Sequence, residues 1–158
     1  MGASKIGLDK KGRMRIFLVL PIPPSDNNIY SNSVININNR WIPTRQLTQE
    51  ARAYKKRVLT KIAGLSLKNP AEFKQNVEYE CIIRVYFEKV YNKGWPKTAK
   101  SRYKKEDAQD RIKLVTDAIS EAIGIDDSHH FLTKILKFED RNRPRIVVLI
   151  REREARDG

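Results

Sequence analysis

Val77-Glu-Tyr-Glu-Cys81-Ile-Ile-Arg-Val-Tyr-Phe87-Glu-Lys-Val-Tyr91 is the stretch from which the fold is read. Tyr79, Cys81, Ile83, Val85 and Phe87 alternate with Glu78, Glu80, Ile82, Arg84, Tyr86 and Glu88. A period of two is that of a strand with one face against a core. Cys81 falls on the apolar face and reads as a core residue. Downstream comes a basic loop over 93–105, then a helix from about Asp107 to Ile123 that stops at Gly124. Two closing strands follow, Leu132 to Phe138 and Arg145 to Arg151, joined by the turn Asp140-Arg-Asn-Arg-Pro144. Upstream, Thr48 opens a helix in which Leu47, Ala51, Tyr54, Val58 and Ile62 recur on one face, with Gly64 as its stop. Arg52, Lys55, Lys56 and Lys61 form a second face that is either solvated or set against a polyanion.

Residues 31–43 read as a loop or short hairpin with Asn38-Asn39 at its tip. Pro23-Pro24-Ser25-Asp26-Asn27-Asn28 is a turn, because prolines fix and Asn, Asp and Ser tolerate turn conformations. Arg15 to Leu20 is a buried strand halted by Pro21. Residues 1–13 lack periodicity and read as a flexible leader, either an upstream extension or a cloning scar, with Met14 as a candidate original start. The order β-α-β-α-β-β gives an α+β (mixed α/β) fold. It is one small domain over 14–158, a mixed sheet of about four strands covered by two main helices.

The chain has 158 residues, 40% of them hydrophobic, which is enough for one real core and excludes a disordered polycation. No apolar run approaches a membrane span, so no membrane partner is expected. A single cysteine excludes an intrachain disulfide and a thiolate zinc site, and it fits a reducing, cytoplasmic setting. Lys and Arg number 32 against 19 Asp and Glu, a formal net charge of +13. The excess points to a nucleic acid through phosphate neutralisation. It is concentrated at Lys93, Lys97, Lys100, Arg102, Lys104 and Lys105, with Trp95 and Tyr103 interleaved as candidates for stacking on unpaired bases.

Against that background, Glu106 to Asp127 is acidic. Carboxylates at a polyanion-binding face are useful when a cation sits between them and the phosphates, and Mg²⁺ or Mn²⁺ is the usual one. On the second helix Ile112, Val115, Ile119, Ala122 and Ile123 gather toward the core, and Asp110, Lys113, Asp117 and Glu121 gather opposite. Asp107 points between the two. Each acid also has a structural reading. Asp107 with Asp110 can cap the helix, Lys113 and Asp117 can form an i,i+4 ion pair, and Asp126-Asp127 after Gly124 is an ordinary turn. His129 and His130 are adjacent and point apart, so a shared metal site is not expected; one of them is a candidate proton carrier.

Taken together, these motifs resemble the RusA-type Holliday junction resolvases over about Met14 to Glu152. Pro23-Pro24-Ser25-Asp26-Asn27-Asn28-Ile29-Tyr30 matches the family's Pro-Pro-Ser-x-Asn-x-x-Tyr. The family's Asp-x-Asp-Asn-x-x-Lys, a later Asp, and a Gly turn with Asp-Asp correspond to Asp107-Ala-Gln109-Asp110-Arg-Ile-Lys113, Asp117 and Gly124-Ile-Asp126-Asp127. The family's second metal-binding Asp falls on Gln109, and the next position, its Asn, on Asp110. Either Asp110 substitutes as ligand, or Gln109 supplies a neutral oxygen, or the enzyme is impaired; the first is favoured here.

The resemblance implies a homodimeric, Mg²⁺-dependent endodeoxyribonuclease, with Mn²⁺ able to substitute, of the kind found on phages and prophages. Such enzymes resolve four-way DNA junctions by paired symmetric nicks in recombination and repair. It makes Asp107, Asp110, Lys113 and Asp127 the catalytic set, and Asp107, Asp110, Asp127 and Asp126 the metal-ligand candidates. Asn27, Tyr30 and the loop cations Lys93, Lys97, Lys100, Arg102, Lys104 and Lys105 are the expected DNA contacts. The alternatives are a non-catalytic binder of branched DNA, kept open by Gln109, and a metal nuclease with relaxed structure preference.

Overall fold

The computed structural model describes residues 3–70 and 72–154. Its strands are β1 (Lys5–Leu8), β2 (Met14–Leu20), β3 (Tyr30–Ile37), β4 (Arg40–Leu47), β5 (Tyr79–Phe87), β6 (His130–Glu139) and β7 (Arg145–Glu152). The helices are α1 (Gln49–Lys68) and α2 (Lys113–Ile123), with short 3₁₀ turns at Asp26–Asn28, Gln109–Arg111 and Asp127–His129. Five strands form one sheet in the order β1-β2-β7-β5-β6, and β3 pairs only with β4 as a separate two-stranded hairpin. The class is α+β, as the sequence implies, with one more sheet strand than expected.

Every neighbouring pair in the five-stranded sheet is antiparallel except β5 with β6. Parallel neighbours need a long crossover, and here that crossover carries the basic loop and α2. The crossover therefore places the start of α2 beside β6. One sheet face is closed by the helices. Met14, Ile16, Leu18 and Leu20 of β2 and the five alternating residues of β5 are buried there against Ala51, Tyr54, Val58 and Ile62 of α1.

Four expectations need correction. The flexible leader expected at 1–13 is ordered over most of its length, because β1 pairs with β2 and buries Ile6 opposite Ile16. Asp9 closes the β1–β2 turn by accepting from the N–H groups of Lys11 (2.8 Å) and Arg13 (3.0 Å). Those bonds, led by that of Arg13, and the Arg13 guanidinium bring its carboxyl down to about 2. Met1 and Gly2 lie outside the described residues. Gly64 does not stop α1, because a lone glycine costs a helix only about 1 kcal/mol and Leu65 still packs on the core. The helix runs to Lys68 and ends at Asn69, just before Pro70.

The third correction concerns α2, which starts at Lys113 rather than at Asp107 and is preceded by the 3₁₀ turn Gln109–Arg111. Its buried residues are Leu114, Val115, Ala118 and Ile119, with Ile112, Ala122 and Ile123 only flanking the core. The fourth is the hairpin, which is not short: β3 and β4 have eight residues each. Its tip is Asn38-Asn39, both at positive φ (51° and 61°), as a tight two-residue hairpin turn requires.

Candidate active site

Asp107 stands two residues before the 3₁₀ turn that precedes α2, just upstream of its cap residue Ala108. Asp107 Oδ1 accepts from the Gln109 N–H at 2.9 Å, which fixes the turn and leaves the carboxylate exposed. Around it an open groove of about 590 Å³ is lined by Lys104, Lys105, Asp107, Gln109, Asp110 and Lys137, among others. Lys137 stands on β6, which the parallel crossover sets alongside, and its Nζ donates to the Glu106 carbonyl. Three acidic residues (Glu106, Asp107 and Asp110), one amide and three lysines thus line one concave surface. Both Gln109 and Asp110 reach it, so the one-residue shift of the acid relative to the family pattern leaves a carboxylate in the groove.

A second segment meets this turn from the side. Arg111 donates from Nη1 to the Pro23 carbonyl at 3.1 Å and lies 3.6 Å from a Glu106 carboxylate oxygen. This ties the Pro23–Tyr30 turn to the start of α2. Asp26, at the head of that turn, is half-buried, and its Oδ1 is buried without a hydrogen-bond partner. Burial first, then the charge of Asp110 and more weakly that of Asp117, push its carboxyl above the ordinary aspartate value, against the pull of Lys113 and Arg111. Along the chain Asp26 reads as an ordinary turn residue, and only the fold sets it against Asp110. Tyr30 lies between cations: the Arg45 guanidinium is 4.2 Å and the Lys113 Nζ 6.0 Å from its ring centroid. Lys113 makes no ion pair with Asp117. Asn27 is exposed in the same turn.

The far end of α2 differs. Gly124 terminates it in the left-handed conformation (φ 69°). Asp126 Oδ1 accepts from the Ser128 N–H at 2.9 Å, and bonds from Ser128 hold its carboxyl below the ordinary value. Asp127 is exposed. His129 closes the 3₁₀ turn and His130 opens β6 opposite Tyr79. Burial lowers the His130 pKa, partly opposed by Asp127, and its Nε2 has no partner. Glu121 pairs with Lys55 of α1 and so serves helix packing. The eleven residues of α2 span about 16 Å between the two acidic segments, and the groove lining includes Asp107 and Asp110 but neither Asp126 nor Asp127. Asp107 and Asp110 therefore share a groove, and Asp126 and Asp127 do not enter it within one chain.

The basic loop is pinned by a bridge between Tyr91 and Tyr103 and by Asn92, whose side chain donates to the carbonyls of Ser101 and Tyr103. Lys93, Lys97, Lys100, Arg102 and Lys105 are exposed, and Lys104 is half-buried. The Arg102 guanidinium lies 5.8 Å from the Trp95 ring centroid and 5.7 Å from that of Tyr103.

Among the described residues, no three His, Cys, Asp or Glu side chains stand close enough to hold a metal ion together. Mg²⁺, however, is commonly held by one or two carboxylates, with water and substrate phosphate completing the shell. Asp107 and Asp110 offer hard oxygen donors of that number and kind in one groove. The pair fits such a cation, and the four-carboxylate set does not fit as a single-chain cage.

The fold and site define a small α+β protein with a mixed carboxylate–lysine groove suited to polyanion chemistry. The chain belongs to the RusA endodeoxyribonuclease family, whose model, Endodeoxyribonuclease RusA, matches residues 21–151 of 158. No individually curated protein matches it. No described helix is long and apolar enough to cross a membrane.

Proposed function

We propose that this chain is a Mg²⁺-dependent endodeoxyribonuclease, with Mn²⁺ able to substitute, that cuts four-way DNA junctions by paired symmetric nicks. It would act in recombination and repair in the cytoplasm, as a homodimer. The observation that carries this reading is the groove at the start of α2, where Asp107 and Asp110 lie among Lys104, Lys105 and Lys137. Family membership supports the nuclease activity.

In this reading Asp107 and Asp110 hold the cation, which when bound supplies charge neutralisation and an acidified water. Lys104, Lys105 and Lys137 hold the phosphates on either side of the scissile bond. Lys113, one turn along, neutralises the charge that develops on the phosphorus oxygens. Ser25 and Cys81 have no nucleophilic role; Cys81 is buried and its thiol is pushed up to about 12. Symmetric cutting needs two sites, which a twofold dimer supplies. A dimer also offers a place for Asp127, since the α2 start of one protomer could face the 126–127 turn of the other. Asp127 is favoured over Asp126 by its position in the family pattern.

One observation keeps a second reading open: Gln109 stands where the family has a metal-binding Asp. A protein that retains the fold and binds branched DNA without cutting it would show this change. The test is cleavage of a labelled four-way junction and a matched linear duplex in Mg²⁺, Mn²⁺ or EDTA. Paired nicks on the junction, only with metal, are expected. Tight junction binding with no cutting in either metal overturns catalysis in favour of the binder. Equal cutting of the duplex overturns junction specificity in favour of a relaxed nuclease.

A further inference from the structure

The β3–β4 hairpin stands apart from the main sheet and is exposed along most of its length. Eight residues per strand give it a reach of roughly 26 Å. Its register sorts the side chains. Tyr30 with Leu47, Asn32 with Arg45, Val34 with Pro43 and Asn36 with Trp41 share one face. At the root of that face Tyr30 sits between Arg45 and Lys113, so the strip begins at the candidate active site. At the far end Trp41 is 70% exposed.

A large aromatic left in water at the tip of an arm has no role in this chain's own core. What would cover it is indicated by charge. From Asn27 to Gln49 there is no Asp or Glu, while Arg40 and Arg45 are present and the remaining polar residues are uncharged hydrogen-bonding groups. The face with Trp41 carries a cation (Arg45) and two amides (Asn32 and Asn36), the opposite face carries Arg40 and the Ser31, Ser33 and Thr44 hydroxyls, and neither has an acid, so an arm leading from the Tyr30–Lys113 contact to an exposed indole complements a nucleic-acid strand. Aromatic side chains on such strips stack on bases irrespective of sequence.

We propose that the β3–β4 hairpin is a DNA-binding arm, which runs from the cutting site to the branch point of the substrate and stacks the Trp41 indole on a base exposed there. This rests on the nuclease reading above and adds to it the part of the molecule that senses the branch. Arg45 and Asn32 follow the backbone between the two points. Trp95 and Tyr103, the aromatics singled out in the sequence, lie on the other basic segment and are not part of this arm.

The test uses the full-length chain in EDTA, so that nothing is cut. With Trp95→Phe, Trp41 is the sole tryptophan, since the chain has two. DNA affinity is read by anisotropy of a labelled junction, and contact by Trp41 emission. The proposal expects Trp41 emission to be quenched on junction binding. It expects Trp41→Ala to weaken junction binding roughly 10-fold and matched-duplex binding less, with Trp41→Phe restoring most of the loss. Junction binding with Trp41 emission and affinity unchanged overturns the proposal while leaving the nuclease reading standing. Trp41 already shielded without DNA, together with dissociation of the oligomer by Trp41→Ala, overturns it in favour of a second copy of this chain as the occupant. A wild-type chain that binds no DNA overturns both readings.

Discussion

The two ends of α2 open with the same local device and differ in everything around it. Asp107 accepts from the N–H of Gln109, Asp126 accepts from the N–H of Ser128, and each introduces a 3₁₀ turn. Around Asp126 that bond is the main event, and the carboxylate is stabilised by it. Around Asp107 the turn continues into Asp110, which faces the unpartnered Asp26, with lysines from the basic loop and from β6 across the groove. One end resolves its charges locally. The other concentrates like charges that a cation or a substrate would relieve, and the cutting site is assigned there for that reason.

The largest effect expected is at Asp107. Asp107→Asn should reduce junction cleavage by a factor on the order of 100 or more, read as single-turnover nicking. Binding should be retained or tightened because a negative charge facing the phosphates is removed. Normal cleavage in this variant would erase the distinction between the two ends. A mixture of Asp107→Asn with Asp127→Asn should recover activity if acids from two protomers complete one site. No recovery above that of either variant alone would confine each site to a single chain.

Stability should separate the ends in opposite directions. Asp26 has a raised folded-state pKa, so its favourable contribution is present below its unfolded pKa and is lost as pH rises through the folded value. At neutral pH Asp26→Asn should therefore raise the melting temperature, by roughly a few degrees at most. Asp126 has a lowered pKa, so its contribution is present above the unfolded value and is lost as pH falls through the folded one. Asp126→Ala should lower the melting temperature at neutral pH, and that difference should shrink as pH falls below 3.8, the ordinary aspartate value. Thermal melts of both variants across pH would expose a wrong assignment of either sign.

Much of this was legible in the sequence. The period of two over 79–87 gave β5 and its buried face, and Gly124 marked the end of α2. The Asp107–Asp110 segment, conspicuous as acidic in a basic chain, lines the groove. What escaped depended on distant partners. β1 carries too short a pattern to stand out, and it is a strand because β2 offers an edge on which Ile6 can be buried. Asp26 becomes notable only where the fold crowds it against Asp110. Trp41 sits in a segment read as a loop or short hairpin, and its exposure follows from the eight-residue length of both strands.

Mn²⁺ binding in the presence of uncleaved junction DNA, compared between Asp107→Asn and Asp126→Ala, tests the central assignment most directly. Asp107→Asn is expected to lose most of the bound Mn²⁺ and Asp126→Ala to keep it. Retention in Asp107→Asn with loss in Asp126→Ala would place the metal at the other end of α2 and contradict the assignment.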